Sequence, residues 1–180
     1  MDYQRLSKEL SYALRHAPHK YELELDEQGW VSIEQLLYAL HEQPVWRQLH
    51  EEDLHIMMER SDKKRHEIKE GKIRALYGHS IPKKIMKEEK EPPDALYHGT
   101  AQRFVALILE QGLQPKGRQY VHLSAETETA RQVGKRRDDR PVILRVDAKT
   151  AWLDGVKFYH GNEMVWLADQ VDRKYISLHS

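Results

Sequence analysis

The amino-acid sequence predicts an α+β fold in two lobes, and three observations carry the prediction. A charged stretch closed by a Pro pair, Lys83 to Pro93 (KKIMKEEKEPP), divides the chain. Before it, apolar residues recur at helical spacing. After it, short runs of strand character alternate with helical ones. The chain has 180 residues, room for one domain or two small ones. The expected division is a first lobe over 1–82, a linker over 83–93 and a second lobe over 94–180.

In the first lobe, Leu6, Leu10, Ala13 and Leu14 share one helical face, and Pro18 stops that helix just after Arg15-His16. Asp26-Glu-Gln-Gly29-Trp30-Val31 is a turn into a short extended piece. Ser32 then caps a helix through Leu40, with Ile33, Leu36, Leu37 and Leu40 as its apolar set. A third helix is expected from about Glu51 to Arg60, burying Leu54, Met57 and Met58. Arg65 to Leu76 (RHEIKEGKIRAL) reads as two strands around Glu70-Gly71. Three helices followed by a basic hairpin is the order of a winged-helix domain.

In the second lobe, Ala95-Leu-Tyr97 is extended, and Ala101 to Gln111 reads as an amphipathic helix ended by Gly112. Tyr120 to Leu123 alternates like a strand, and Glu126 to Arg136 is helical. Pro141–Val146, Val156–Tyr159, Met164–Leu167 and Tyr175–Leu178 are the remaining strand candidates.

Composition narrows the function. Basic and acidic residues balance at 29 each, and mean hydropathy is −0.80. No apolar run is long enough to span a membrane and the start has no signal core, so a cytoplasmic protein is expected. There is no Cys, which excludes disulfides, thiolate metal sites and a cysteine nucleophile. The balance is local rather than uniform: residues 1–59 carry 5 basic and 12 acidic groups, residues 60–90 carry 11 and 5, and residues 115–149 carry 9 and 5. Two basic segments in a neutral chain point to a local anionic ligand, or to solvated faces that offset one another.

Several residues stand out. If Glu70-Gly71 is a two-residue turn, Lys69 faces Lys72 and Glu67 faces Arg74. Period two then puts Lys69, Lys72 and Arg74 on one face, offered to phosphate or serving as a solubilising edge. Arg15-His16 ends a helix, where cations offset the helix dipole; the same pair can hold charge and move a proton in phosphate chemistry. His98-Gly99-Thr100 and His122-Leu123-Ser124 each close a strand, where backbone N–H groups and a hydroxyl can receive phosphate or ribose. The plainer alternative is a pair of histidines satisfied by backbone carbonyls. Metal catalysis finds little support: His16 and His19 have Pro18 between them, and the acidic clusters read as solvated runs. No metal is expected.

Taken together, the segments LSYALRHAP (Leu6–Pro18, in part), DEQGWVSIEQLL (Asp26–Leu37), SDKKR (Ser61–Arg65), IRALYGHS (Ile73–Ser80), LYHGT (Leu96–Thr100), YVHLS (Tyr120–Ser124) and MVWL (Met164–Leu167) strongly resemble the NAD-dependent RNA 2′-phosphotransferases, the KptA family known for tRNA splicing. The resemblance implies a winged-helix-like lobe followed by an ADP-ribosyltransferase-like lobe. It implies NAD+ as co-substrate, RNA bearing an internal 2′-phosphate as partner, and a monomer without membrane attachment. The implied reaction has two steps. The 2′-phosphate attacks the nicotinamide-bearing ribose carbon and nicotinamide leaves. The ribose 2″-hydroxyl then attacks phosphorus, releasing RNA with a free 2′-hydroxyl and ADP-ribose 1″,2″-cyclic phosphate.

By the same resemblance the catalytic set is Arg15, His16, Arg74 and Arg118, assisted at the RNA phosphate by Lys72 and Lys69. The NAD+ side is His98, Gly99, Thr100, His122, Ser124, Arg131 and Val165. One departure stands out. Where the family has Asn-Gly-Val, this chain reads Asn162-Glu163-Met164-Val165; either the loop carries an extra residue or the Asn contact is absent. Two other readings fit the same residues less fully: an ADP-ribosyltransferase that caps terminal RNA or DNA phosphates, and a non-catalytic winged-helix nucleic-acid-binding module.

Overall fold

The structure, a computed structural model, describes residues 1–179. It is a mixed α/β protein with two antiparallel sheets, and the chain divides into two compact units, Met1–Met86 and Lys87 onward. No helix among the described residues is long and apolar enough to cross a membrane.

The first unit runs α1 (Tyr3–Arg15), β1 (Val31–Ser32), α2 (Ile33–Leu40), α3 (Glu51–Arg60), β2 (His66–Lys69) and β3 (Lys72–Ala75). Asp2 caps α1 by accepting from the Arg5 N–H at 3.0 Å, and the predicted face of Leu6, Leu10, Ala13 and Leu14 is fully buried. Ser32 caps α2 as expected, accepting from Gln35. At the entry to β1, the Asp26 carboxylate accepts from the Gln28 and Trp30 N–H groups at 2.9 Å, which closes the predicted turn. The hairpin has the expected register, Lys69 opposite Lys72 and Glu67 opposite Arg74. Its turn residues Glu70 and Gly71 both take positive φ, 50° and 75°, as a two-residue turn of this hand requires. The sheet order is β1-β3-β2, and its inner face, led by Ile73 and Ala75, covers the helical core around Leu36, Trp46 and Leu54.

The chain after β3 stays on this unit. The Ser80 N–H donates to the Arg15 carbonyl at 2.9 Å, the Met86 N–H donates to Glu27, and Ile85 is completely buried. Part of the stretch read as a linker is thus held down by its single large apolar anchor. From Lys87 the chain joins the second unit, where Glu89 forms an isolated bridge with Tyr159.

The second unit contains β4 (Leu96–Thr100), α4 (Val105–Gln111), β5 (Val121–Ser124), α5 (Thr127–Gly134), β6 (Val142–Val146), α6 (Ala148–Leu153), β7 (Phe158–His160), β8 (Val165–Ala168) and β9 (Ile176–Leu178). The sheet order is β7-β8-β5-β4-β6-β9, all antiparallel. Two details differ from expectation. Ala101–Gln111 is a 3-10 turn over Gln102–Phe104 followed by α4, not one helix. The short helix α6, capped by the Asp147 carboxylate on the Thr150 N–H and hydroxyl, was not expected because its six residues hold too little periodicity.

Candidate functional site

Each unit presents a cavity lined by cations. In the first unit a cavity of about 710 Å³ is flanked by Arg15 and His16 from the end of α1, Arg60 from the end of α3, and Arg65 at the entry to β2. Asp62 is its one lining carboxylate, and it is largely exposed and 4.0 Å from Arg65.

The residues after the hairpin hold Arg15 and His16 in place. The Arg15 guanidinium lies over the Tyr77 ring at 4.9 Å, a cation–π arrangement that holds the planar group in one orientation. Gly78 has φ +89°, which favours glycine, and a Cβ built there would stand 3.2 Å from Arg15 Cδ, so that side chain would have to shift slightly. His16 Nδ1 is 2.7 Å from the Ser80 hydroxyl. Arg65 is tied by its guanidinium to the Ser61 hydroxyl at 3.0 Å and by its carbonyl to the Leu76 N–H. Next in the chain, His66 is buried and its pKa is pushed down to about 3, first by burial and then by the Arg15 and Arg65 charges. One neutral histidine therefore senses both guanidiniums at once.

Arg74 has other commitments. Its Nε donates to Glu67 at 2.9 Å and its Nη2 to the same carboxylate oxygen at 2.8 Å, while the guanidinium lies 4.4 Å from the Trp30 ring centroid. It does not line the cavity of Arg15, His16 and Arg65, and neither do Lys69 and Lys72, which are exposed at the hairpin tip. Arg65 is the residue that sequence reasoning missed. Its signal was the SDKKR segment, but a run of cations does not reveal which one turns inward.

In the second unit a cavity of about 470 Å³ is lined by His98, Gly99 and Thr100 of β4, His122 of β5, Arg118, and the end of α5. Gly99 is flush with α5: a Cβ there would lie 1.8 Å from the Ala130 carbonyl oxygen. The two histidines have opposite polarity. His98 Nδ1 is 3.0 Å from the His122 carbonyl, which can only accept, so Nδ1 carries the proton and Nε2 is left as acceptor. Arg118 can only donate and does so to His122 Nδ1, so in neutral His122 the proton is on Nε2. Burial is the main reason that the His98 pKa is lowered; the carbonyl bond opposes this, and Arg118 and Arg137 add to it. The pair thus offers one acceptor and one donor to a ligand with hydroxyl or amide groups.

The other residues expected on this side stand apart from that cavity. Ser124 and Val165 are register partners on β5 and β8, and Arg131 is exposed on α5; none of the three lines it. Asn162 resolves the altered motif. Its side-chain oxygen accepts from the Met164 and Val165 N–H groups, both at 2.8 Å, so it is a buried cap that closes the loop into β8, while Glu163 is exposed. Among the described residues no group of three or more His, Asp or Glu side chains is placed to hold a metal ion.

Comparison with known proteins adds the following. The family model described as RNA 2′-phosphotransferase, Tpt1/KptA family, matches residues 2–170. A probable RNA 2′-phosphotransferase of Acetivibrio thermocellus is 65% identical over 176 residues, covering 98% of this chain and 97% of that protein. One from Bacillus thuringiensis subsp. konkukian is 62% identical over 176 residues, covering 98% and 95%. A probable RNA 2′-phosphotransferase 1 of Archaeoglobus fulgidus is 36% identical over 173 residues, covering 96% and 79%.

Proposed function

Because the chain belongs to the Tpt1/KptA family of RNA 2′-phosphotransferases, we propose that it removes an internal 2′-phosphate from RNA by transferring it to NAD+. The observation that carries this reading is the convergence of Arg15, His16 and Arg65 on one cavity of the first unit. A 2′-phosphate brings its own charge and those of its backbone neighbours. Arginine keeps its charge at any working pH and offers paired donors to phosphate oxygens. Arg65 joins this set; Arg74, which the family resemblance also places in it, pairs with Glu67 through Nε and Nη2 and keeps further N–H donors for a phosphate.

In the proposed first step a phosphate oxygen bonds to the nicotinamide-bearing ribose carbon of NAD+ as the C–N bond to nicotinamide breaks. In the second, the ribose 2″-oxygen bonds to phosphorus, losing its proton, and the RNA 2′-oxygen leaves and gains one. Negative charge grows on the phosphate oxygens in that step, where fixed donors such as Arg15 and Arg65 are worth most. His16 moves at least one of the protons, with its ring oriented by Ser80. On the second unit His98 and His122 take the NAD+ ribose hydroxyls or carboxamide, Gly99 lets β4 lie flush against α5 beside the cavity, and Arg118 holds His122.

The same reading assigns the two lobes. The order helix, strand, helix, helix, hairpin with sheet order β1-β3-β2 supports a winged-helix-like first lobe. The six-stranded antiparallel sheet with histidines on two neighbouring strands supports an ADP-ribosyltransferase-like second lobe. The test is incubation of a 2′-phosphorylated oligonucleotide with and without NAD+, with mass analysis of both products. Loss of the 2′-phosphate with NAD+ alone, together with ADP-ribose 1″,2″-cyclic phosphate, is expected. Phosphate loss that does not require NAD+, or none at all, overturns the reading.

A further inference from the structure

We infer that the cavity of the second unit holds the anionic sugar-phosphate product of the proposed reaction more tightly than the dinucleotide that enters it, so that product competes with NAD+ and its release is governed by salt. The inference rests on the proposed function and concerns its NAD+ side.

It starts from the charges around the cavity. Lys116, Arg118, Arg136 and Arg137 all line it, and no Asp or Glu does. Each cation is placed by something else. The Lys116 ammonium sits 5.2 Å from the Phe104 ring centroid, and Arg118 is bonded to His122. Arg136 and Arg137 lie on the turn that closes α5, their N–H groups bonded to the Val133 and Gly134 carbonyls. The next residue along, Asp138, lies outside the lining and stays ionised, its carboxylate accepting from the Gln102 and Arg140 N–H groups, both at 3.0 Å, so it offsets part of this positive charge.

Four cations line the cavity, and the ligands proposed for it differ in charge. NAD+ carries two negative charges on its pyrophosphate and a positive one on its pyridinium ring, a net of one negative charge. ADP-ribose lacks the ring and carries two. ADP-ribose 1″,2″-cyclic phosphate adds a phosphodiester and carries three. Turnover therefore exchanges a weakly anionic ligand for a strongly anionic one inside the same positive field. A cavity lined by cations alone carries that preference, and because all four are exposed, dissolved salt screens it. Loss of the nicotinamide ring works in the other direction by removing apolar contacts, and ADP-ribose separates the two effects because it lacks both ring and added phosphate.

The experiment is calorimetric titration of the full chain with NAD+, ADP-ribose and ADP-ribose 1″,2″-cyclic phosphate, at low and at high salt. The expected result is that the cyclic phosphate binds on the order of tenfold more tightly than NAD+ at low salt, with ADP-ribose weaker than the cyclic phosphate and the gap narrowing as salt rises. The double variant R136Q/R137Q should narrow the gap at low salt while still binding NAD+, and K116Q should do so to a smaller degree. NAD+ binding as tightly as the cyclic phosphate at low salt overturns the inference. So does a gap that neither salt nor R136Q/R137Q changes. Failure of all three ligands to bind overturns the proposed function itself, and with it this inference.

Discussion

Arg65 and Arg74 both belong to the basic segment of the first unit, yet their surroundings ask different things of them. Arg65 shares a cavity with Arg15 and His16, and its ion pair with Asp62 is long, at 4.0 Å, and exposed. Arg74 donates twice to Glu67 and lies over Trp30, joining the hairpin to the 26–30 turn. Arg65→Ala is therefore expected to slow turnover roughly 10²–10³-fold with little change in melting temperature, the usual cost of losing a donor to a charge that grows in the transition state. Arg74→Ala is expected to lower stability by about 1 kcal/mol, since the pair is partly exposed and screened, and to slow turnover by less than about tenfold. Single-turnover rates beside thermal melts separate the two. The reverse pattern, with Arg74→Ala the slower enzyme, would return the third arginine of the phosphate site to the hairpin face.

Elements decide what a residue's charge state means for the fold. His66 is the inward-facing first residue of β2, and its pKa falls to about 3 because burial and two guanidiniums oppose its charge. In the unfolded chain it titrates near the ordinary histidine value of about 6.5. Between those values the unfolded state binds a proton that the folded state refuses. The histidine thus costs nothing above about pH 6.5, and stability is lost progressively as pH falls towards 3. The slope reaches about 1.4 kcal/mol per pH unit, or about 2 kcal/mol by pH 5. Denaturant titrations at several pH values should show this loss, and His66→Phe should flatten it. An unchanged slope in that variant would place the acid sensitivity elsewhere. The β4–α5 contact gives a second prediction at this scale. Gly99→Ala forces a Cβ onto the Ala130 carbonyl, which is backbone and cannot rotate away. A loss of about 2–3 kcal/mol is expected from the overpacking, read as a fall in melting temperature together with weaker NAD+ binding. A variant that melts like the parent would show that strand and helix can separate freely.

For the whole molecule, a net charge of zero conceals cavities in which cations predominate. Lys8, Arg15, Arg60 and Arg65 line the first unit's cavity, whereas its aromatic rings are already engaged: the Tyr3 hydroxyl bonds to Asp53 and its ring carries Arg60. RNA affinity should therefore follow phosphate rather than base. About four phosphate contacts on a single strand give a log–log salt slope of roughly −3. Fluorescence anisotropy with 2′-phosphorylated oligonucleotides of differing sequence measures both properties. A shallow slope, or a strong preference for one base at constant salt, would contradict phosphate-led recognition.

Much of this was legible in the sequence, for a definite reason. Periodicity and capping are local properties, so α1, α2, α3 and the hairpin register followed from Leu6, Leu10, Ser32 and Glu70-Gly71 without reference to the rest of the chain. His98 and His122 were legible because each sits in a recognisable strand pattern, although β4 and β5 run through them instead of ending before them. The short helix α6 escaped because six residues hold too little periodicity, and the break in Ala101–Gln111 because its pattern continues across it. Site membership depended on something no local pattern encodes, namely the direction in which a side chain leaves a loop. Arg65 and Arg74 look alike as residues of a basic run; the Ser61 hydroxyl holds one at the cavity, and Glu67 across the hairpin pairs with the other. Asn162 likewise reads as a displaced motif until its oxygen is seen accepting two backbone N–H groups. The sequence by itself determined the elements and the cations available, because those rest on neighbours a few residues away. Only the tertiary structure decided which cations line a cavity together, because that depends on partners brought together from distant parts of the chain.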